Sequence, residues 1–144
     1  MSGEAKPSGL RFFLDRGLGS KILPAALRKA GWELETMDER YGKAQSQGIP
    51  DTKWIEEATL NGDVILCKDL KIARNPLEAQ IVYMTSARVF GLANAQLTGP
   101  AMINWYLGRE AEIFQMARHT GGPYVAAVHA TQRLRRVRLA YPLQ

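Results

Sequence analysis

Short apolar runs alternate with amphipathic stretches along the chain. Leu10 to Leu14, read as LRFFL, is an apolar run closed by Asp15, Arg16 and Gly17, which predicts a buried strand and a turn. Ser20 stands where it can cap a helix in which Ile22, Leu23, Ala26, Leu27 and Ala30 recur at helical spacing. Pro24 falls in the first turn of that helix, and Gly31 is its expected stop. From Trp32 to Met37 the acids Glu33 and Glu35 alternate with apolar neighbours, the pattern of a strand with one wetter face, and Asp38 follows directly. Glu39 to Pro50 turns polar and Gly-rich and is expected as loop.

Asp51 opens the next periodic stretch, where Trp54, Ile55 and Ala58 form an apolar stripe that ends at Asn61-Gly62. Asp51 is therefore expected at or beside the N-cap of a helix. Val64 to Cys67, VILC, predicts a short buried strand, followed by a basic turn in which Asp69 lies among Lys68, Lys71 and Arg74. Asn75-Pro76-Leu77-Glu78 has the features of a helix start: a capping Asn, Pro at the first position, and a Glu that reaches back to the cap. Leu77, Ile81 and Met84 are expected to face the core from it.

Val89, Phe90 and Leu92 predict a fourth strand. The loop Ala93 to Gly99 then leads to Pro100 and one long helix reaching about Arg118. Met102, Ile103, Tyr106, Leu107, Phe114 and Ala117 mark its buried side, and Gly121-Gly122-Pro123 ends it. Tyr124 to His129 and Leu134 to Leu139 read as terminal strands within 124–139, a candidate hairpin. Strand and helix in alternation produce an α/β fold, a mostly parallel central sheet with helices on both faces and right-handed crossovers. One domain over 10–144 is expected, after a flexible tail over 1–9.

Composition narrows the chemistry. At 144 residues, 46% hydrophobic and 23% charged, the chain matches one ordinary globular domain. Its single Cys67 excludes an internal disulfide and a multi-Cys zinc site. The two histidines, His119 and His129, fall in segments away from the acids and read as structural. A net charge of +5 favours a polyanionic partner, although basic solvated surfaces are common. No apolar run approaches a membrane span of about 18 residues or a signal peptide, so no membrane association and a cytoplasmic location are expected.

In a parallel sheet the C-terminal ends of the strands and the N-terminal ends of the following helices share one edge, where ligands bind. Asp15, Asp38 and Asp69 each follow a predicted strand, and Asp51 starts a predicted helix, so all four are expected on that edge. Crowded carboxylates either take up protons or require a cation, and all-oxygen ligands suit Mg²⁺ or Mn²⁺. Each acid taken alone also reads as a cap, a turn former or half of an ion pair.

RFFLDRGLG, TMDERYG, DTKWIEEATLNGDVILCKD and VFGLANAQLTG together resemble the PIN-domain superfamily, most closely its compact VapC-like toxins, over roughly residues 10 to 100. The resemblance implies a metal-dependent endoribonuclease that leaves a 5′-phosphate and a 3′-hydroxyl, is held by a partner antitoxin and is often a homodimer. It places Asp15, Asp51 and Asp69 on a Mg²⁺ or Mn²⁺ ion, with Asp38 completing the site, or Glu39, Glu56 or Glu57 in its stead. Arg16, Lys68, Lys71 and Arg74 are candidates for RNA phosphate contacts, against a simply solvated face. Asn94 and Thr98, after the fourth strand, are candidates for holding a water or a phosphate, against ordinary turn residues. The alternatives are a PIN-like RNA-binding or protein-interaction module whose site has decayed, and a nuclease acting on DNA.

Overall fold

The apolar runs become the strands of one sheet in the computed structural model, which describes residues 9–142. All but Gly9 of the expected tail lies outside the described residues. The strands are β1 (Phe12–Leu14), β2 (Leu34–Thr36), β3 (Val64–Cys67), β4 (Arg88–Leu92), β5 (Tyr124–Val128) and β6 (Arg135–Val137). Their order across the six-stranded sheet is β2-β1-β3-β4-β5-β6. The first five run parallel, and β6 returns antiparallel to β5 as the expected terminal hairpin.

Every residue of β1, β3 and β5 is buried because helices cover both faces. Phe12 and Leu14 point with Val64, Leu66 and Phe90 into one half of the core, where Trp32, Tyr106 and Phe114 pack. Phe13 and Ile65 point with Val89 to the other face, against Trp54, Ile55 and Val82. The helices are α1 (Ile22–Lys29), α2 (Met37–Tyr41), α3 (Lys43–Ser46), α4 (Asp51–Leu60), α5 (Lys71–Arg74), α6 (Pro76–Thr85), α7 (Gly99–Gly108) and α8 (Glu110–His119).

Four local expectations are corrected. The stretch expected as loop over Glu39 to Pro50 contains the end of α2 and all of α3. Thr36 and Glu39 form a reciprocal capping box there: Thr36 Oγ1 accepts from the Glu39 amide at 3.2 Å, and the Thr36 amide donates to Glu39 Oε1 at 2.9 Å. α1 begins after Lys21 without any side-chain cap, so Ser20 does not serve as one.

The single long helix is two, α7 and α8, broken at Arg109, whose φ of −116° and ψ of 17° leave the helical region. Its guanidinium donates to the carbonyls of His129 and Ala130 at 3.1 Å and so ties the break to the end of β5. In α6 the buried residues are Ala79 and Val82, while Leu77 and Met84 are 66% and 65% exposed. The small Ala79 lets the helix approach the core closely, and that phase turns Leu77 and Met84 outward. No described helix is long and apolar enough to cross a membrane.

Candidate active site

β1 ends at Leu14, paired with Leu66, and the Asp15 amide still donates to Leu66 O at 3.0 Å. The Asp15 carboxylate is thereby fixed at the strand end, where its Oδ1 accepts from the Gly17 amide at 3.2 Å and caps a 3-10 turn over Arg16–Leu18. Asp69 follows β3, and its Oδ1 accepts from the Lys71 amide at 2.9 Å. Asp51 is the first residue of α4, with Pro50 before it. Its Oδ1 accepts from both the Arg16 guanidinium and Trp54 Nε1, each at 2.8 Å. From α6 comes Glu78, in the first turn.

Asp15, Asp51, Asp69 and Glu78 line one depression of about 130 Å³, together with Trp54, Lys71 and buried apolar neighbours. Burial first, and then the Asp51, Asp15 and Asp69 charges, lift the Glu78 carboxyl from its ordinary 4.5 to about 7. Burial also raises Asp15, reinforced by Asp51 and Asp69 and opposed by the Gly17 amide and Arg16. The site therefore holds more negative charge than its own cations balance. That excess, on a set of oxygen donors alone, fits a hard divalent cation. Among the described residues no cluster of His, Cys, Asp or Glu side chains is already gathered for an ion. Asp15, Asp51 and Asp69 each accept from a protein donor instead.

Two residues outside the acidic set fix the backbone around Asp69. Gly91 of β4 faces it so closely that a Cβ would stand 2.3 Å from Asp69 O. The fully buried Tyr106 of α7 donates to Cys67 O at 2.6 Å and so holds the end of β3.

Residues 10–94 match the family described as PIN like domain. The chain belongs to this family. It is also 37% identical over 123 residues, 85% of this chain and 88% of the other, to "Putative ribonuclease VapC45" of Mycobacterium tuberculosis (strain ATCC 25618 / H37Rv). No solved structure matches it. The parallel sheet with helices on both faces is thus the fold of a PIN like domain, and its acids lie at the edge where α/β sheets bind ligands.

Within this PIN like domain the expected site residues separate. Asp15, Asp51 and Asp69 share the depression, and Asp38 does not. The capping box that starts α2 turns Asp38 away; its Oδ1 accepts from Ser46 Oγ, and it lines a second depression. The other acids considered in its place are also elsewhere: Glu39 pairs with Arg28 at 2.6 Å, Glu57 accepts from Tyr41, and Glu56 is exposed. The residue that joins the depression is Glu78, which the helix-start pattern assigns to capping. The Asn75 amide donates instead to Lys71 O at 2.9 Å, so Glu78 has no reciprocal bond to make.

Among the basic candidates, Arg16 is committed to protein acceptors, donating to Asp51, to Ile49 O at 2.7 Å and to Ser46 O at 3.2 Å. It brackets the site to the segment after α3. Lys71 lines the depression, Lys68 packs beside Gly17, and Arg74 is exposed at the end of α5. Asn94 and Thr98 serve their own backbone: Asn94 Oδ1 accepts from the Gln96 amide at 2.8 Å, and Thr98 Oγ1 caps α7 through the Ala101 amide at 3.3 Å.

Proposed function

We propose that this PIN like domain is an endoribonuclease, the toxin of a toxin–antitoxin pair, acting with Mg²⁺ or Mn²⁺ in the depression formed by Asp15, Asp51, Asp69 and Glu78. The observation that carries the reading is the convergence of these carboxylates at one sheet edge with their charge unbalanced. The similarity to a protein whose name states a ribonuclease supports RNA as the substrate. The bound ion would supply charge stabilisation at the phosphoryl group and an activated water.

The protein's own residues orient the reaction. Arg16 and Trp54 hold Asp51 by Oδ1 and leave Oδ2 for the ion. The Gly17 and Lys71 amides do the same for Asp15 and Asp69 through Oδ1 of each. Lys71 lines the same depression, which supports it as a cation for a substrate phosphate. In-line displacement by water leaves a 5′-phosphate and a 3′-hydroxyl. An antitoxin partner, a homodimer and a cytoplasmic location complete the proposal.

Matched single-stranded RNA and DNA oligonucleotides, incubated with and without added Mg²⁺ or Mn²⁺, test it directly. Ion-dependent cleavage of RNA over DNA is expected. RNA binding with no cleavage under any ion would replace the nuclease by an RNA-binding module, and preferred cleavage of DNA would replace the substrate.

Two further results are expected at this site. Gly91→Ala drives a methyl group against Asp69 O and displaces that carboxylate's backbone. A misplacement on the order of 1 Å lowers cleavage by about 100-fold. Single-turnover rates on folded protein measure it, and an unchanged rate would show that the loop yields freely.

The second concerns pH. The folded-state value of Glu78 lies above its unfolded value, so between about 4.5 and 7 the folded chain binds more protons than the unfolded one. Stability of the ion-free protein therefore falls as pH rises through that window, and Asp15 acts in the same direction. Melting curves across it are expected to show the decline in wild type and a flatter profile in Glu78→Gln. Equal slopes would place the titrating charge elsewhere.

A further inference from the structure

Beside the acidic depression lies a second one, of about 110 Å³, lined by Arg16, Gly19, Ser20, Met37, Asp38 and Gln47 among others. The two are joined through one side chain, since Arg16 lines the second depression and ion-pairs with Asp51 of the first. The volume is well above the ~10–15 Å³ that a single water needs. A phosphate does not suit it, because the Asp38 carboxylate repels an anion. What Asp38 offers is an acceptor.

The lining is set up for directional hydrogen bonding. Asp38 is anchored through Oδ1 by Ser46 Oγ, and Ser46 is itself fully buried, so the carboxylate has a fixed orientation and its Oδ2 is left to a ligand. Among the described residues the Ser20 hydroxyl and the Gln47 side-chain amide make no hydrogen bond to protein, and each can donate or accept. Met37, 2% exposed, provides an apolar surface beneath them. An acceptor, an adaptable amide and an apolar floor in one small hollow match the edge and face of an unstacked base.

We propose that this hollow is the base-reading subsite of the nuclease: it takes one unpaired nucleobase bearing an exocyclic amino group, which donates to Asp38, while Gln47 meets the neighbouring ring acceptor. Asp38 is thus a specificity residue and not a metal ligand. Uracil is disfavoured in that register because it turns a carbonyl oxygen toward the Asp38 carboxylate where the other bases present an N–H donor. The inference rests on the endoribonuclease reading and deepens it by assigning the base at a nucleotide flanking the cleaved phosphate. Arg16 then has a second consequence, since a ligand pressing on it is felt at Asp51.

The test uses oligouridine hexamers carrying one central C, A or G, or none, with the full-length protein. Equilibrium binding is read by fluorescence anisotropy with Ca²⁺ in place of the activating ion, and cleavage is read separately with Mg²⁺. Wild type is expected to prefer the best amino-bearing hexamer over all-uridine by about tenfold, the scale of one lost base contact. Asp38→Asn and the exposed Gln47→Ala are each expected to bring that ratio close to unity. The ratio is insensitive to a partial loss of folded protein.

RNA that binds and is cut with the same base preference in both variants as in wild type overturns the subsite and leaves the nuclease standing. A wild type with no preference for an amino-bearing base does so too. Failure of the wild type to bind any hexamer overturns the subsite and the RNA reading together.

Discussion

Replacing Asp69 with asparagine is expected to slow RNA cleavage about a thousandfold, the equivalent of roughly 4 kcal/mol of lost transition-state stabilisation around a catalytic ion. Asparagine keeps the shape of the side chain, and its Oδ1 still accepts from the Lys71 amide, so the turn after β3 survives. What disappears is charge. Asp15→Asn is expected to lose activity on the same scale with an additional signature. The Asp15 carboxyl is raised by burial and by Asp51 and Asp69, which means that its ionised form strains the ion-free fold.

Removing that charge should therefore raise the melting temperature of the ion-free protein while weakening the ion's stabilising effect. The measurements are single-turnover cleavage, calorimetric ion titration and thermal melts with and without Mn²⁺. Cleavage within threefold of wild type in either variant would sink the assignment. A fall in the ion-free melting temperature of Asp15→Asn would show that its carboxylate supports the fold and does not strain it.

Much of this site was legible because strand ends in a parallel sheet are set by order alone. FFL and VILC are uninterrupted apolar runs, so Asp15 and Asp69 just beyond them had to emerge at the C-terminal edge, and the Trp54, Ile55, Ala58 stripe sets the start of α4 at Asp51. Asp38 also follows a strand, yet a capping box places it in the first turn of a helix, where it lines the second depression and not the one that holds the other acids. The letters TMDE carry that box, and they are the signal that distinguishes a helix start from a loop. Glu78 was hidden by the same motif read in the wrong place. Asn75 does cap α6, through the Leu77 and Glu78 amides, but the glutamate three positions on serves the depression. Whether a glutamate reaches back or across depends on what its neighbours present, which no local pattern contains. The phase of α6 was lost for a related reason: its apolar residues surround the helix, so periodicity does not say which of them is buried.

A buried ion pair spanning 23 residues is the feature least accessible to such patterns, and its loss has the largest expected effect on stability. Asp63, 3% exposed, accepts from Arg40 at 2.7 Å; Arg40 also donates to Glu35 at 2.7 Å and lies 4.1 Å from the centre of the Phe13 ring. Arg40→Ala removes the cation and leaves the Asp63 carboxylate in the interior. Its remaining partners are the exposed Arg11 at 3.6 Å and the Asn61 amide at 3.3 Å. Breaking such a pair from one side costs about 3–5 kcal/mol, and near 4 °C per kcal/mol for a domain of this size the melting temperature should drop by about 12–20 °C.

Arg40→Met combined with Asp63→Leu removes both charges and should recover much of the loss, because the cost lies in the stranded carboxylate more than in the missing bond. Asp63 precedes β3, at the end of the strand opposite Asp69. The cleavage rate per folded molecule should therefore change little in Arg40→Ala even as the folded fraction shrinks. A double variant as unstable as Arg40→Ala would mean that packing on Phe13, and not the orphaned charge, is what Arg40 contributes.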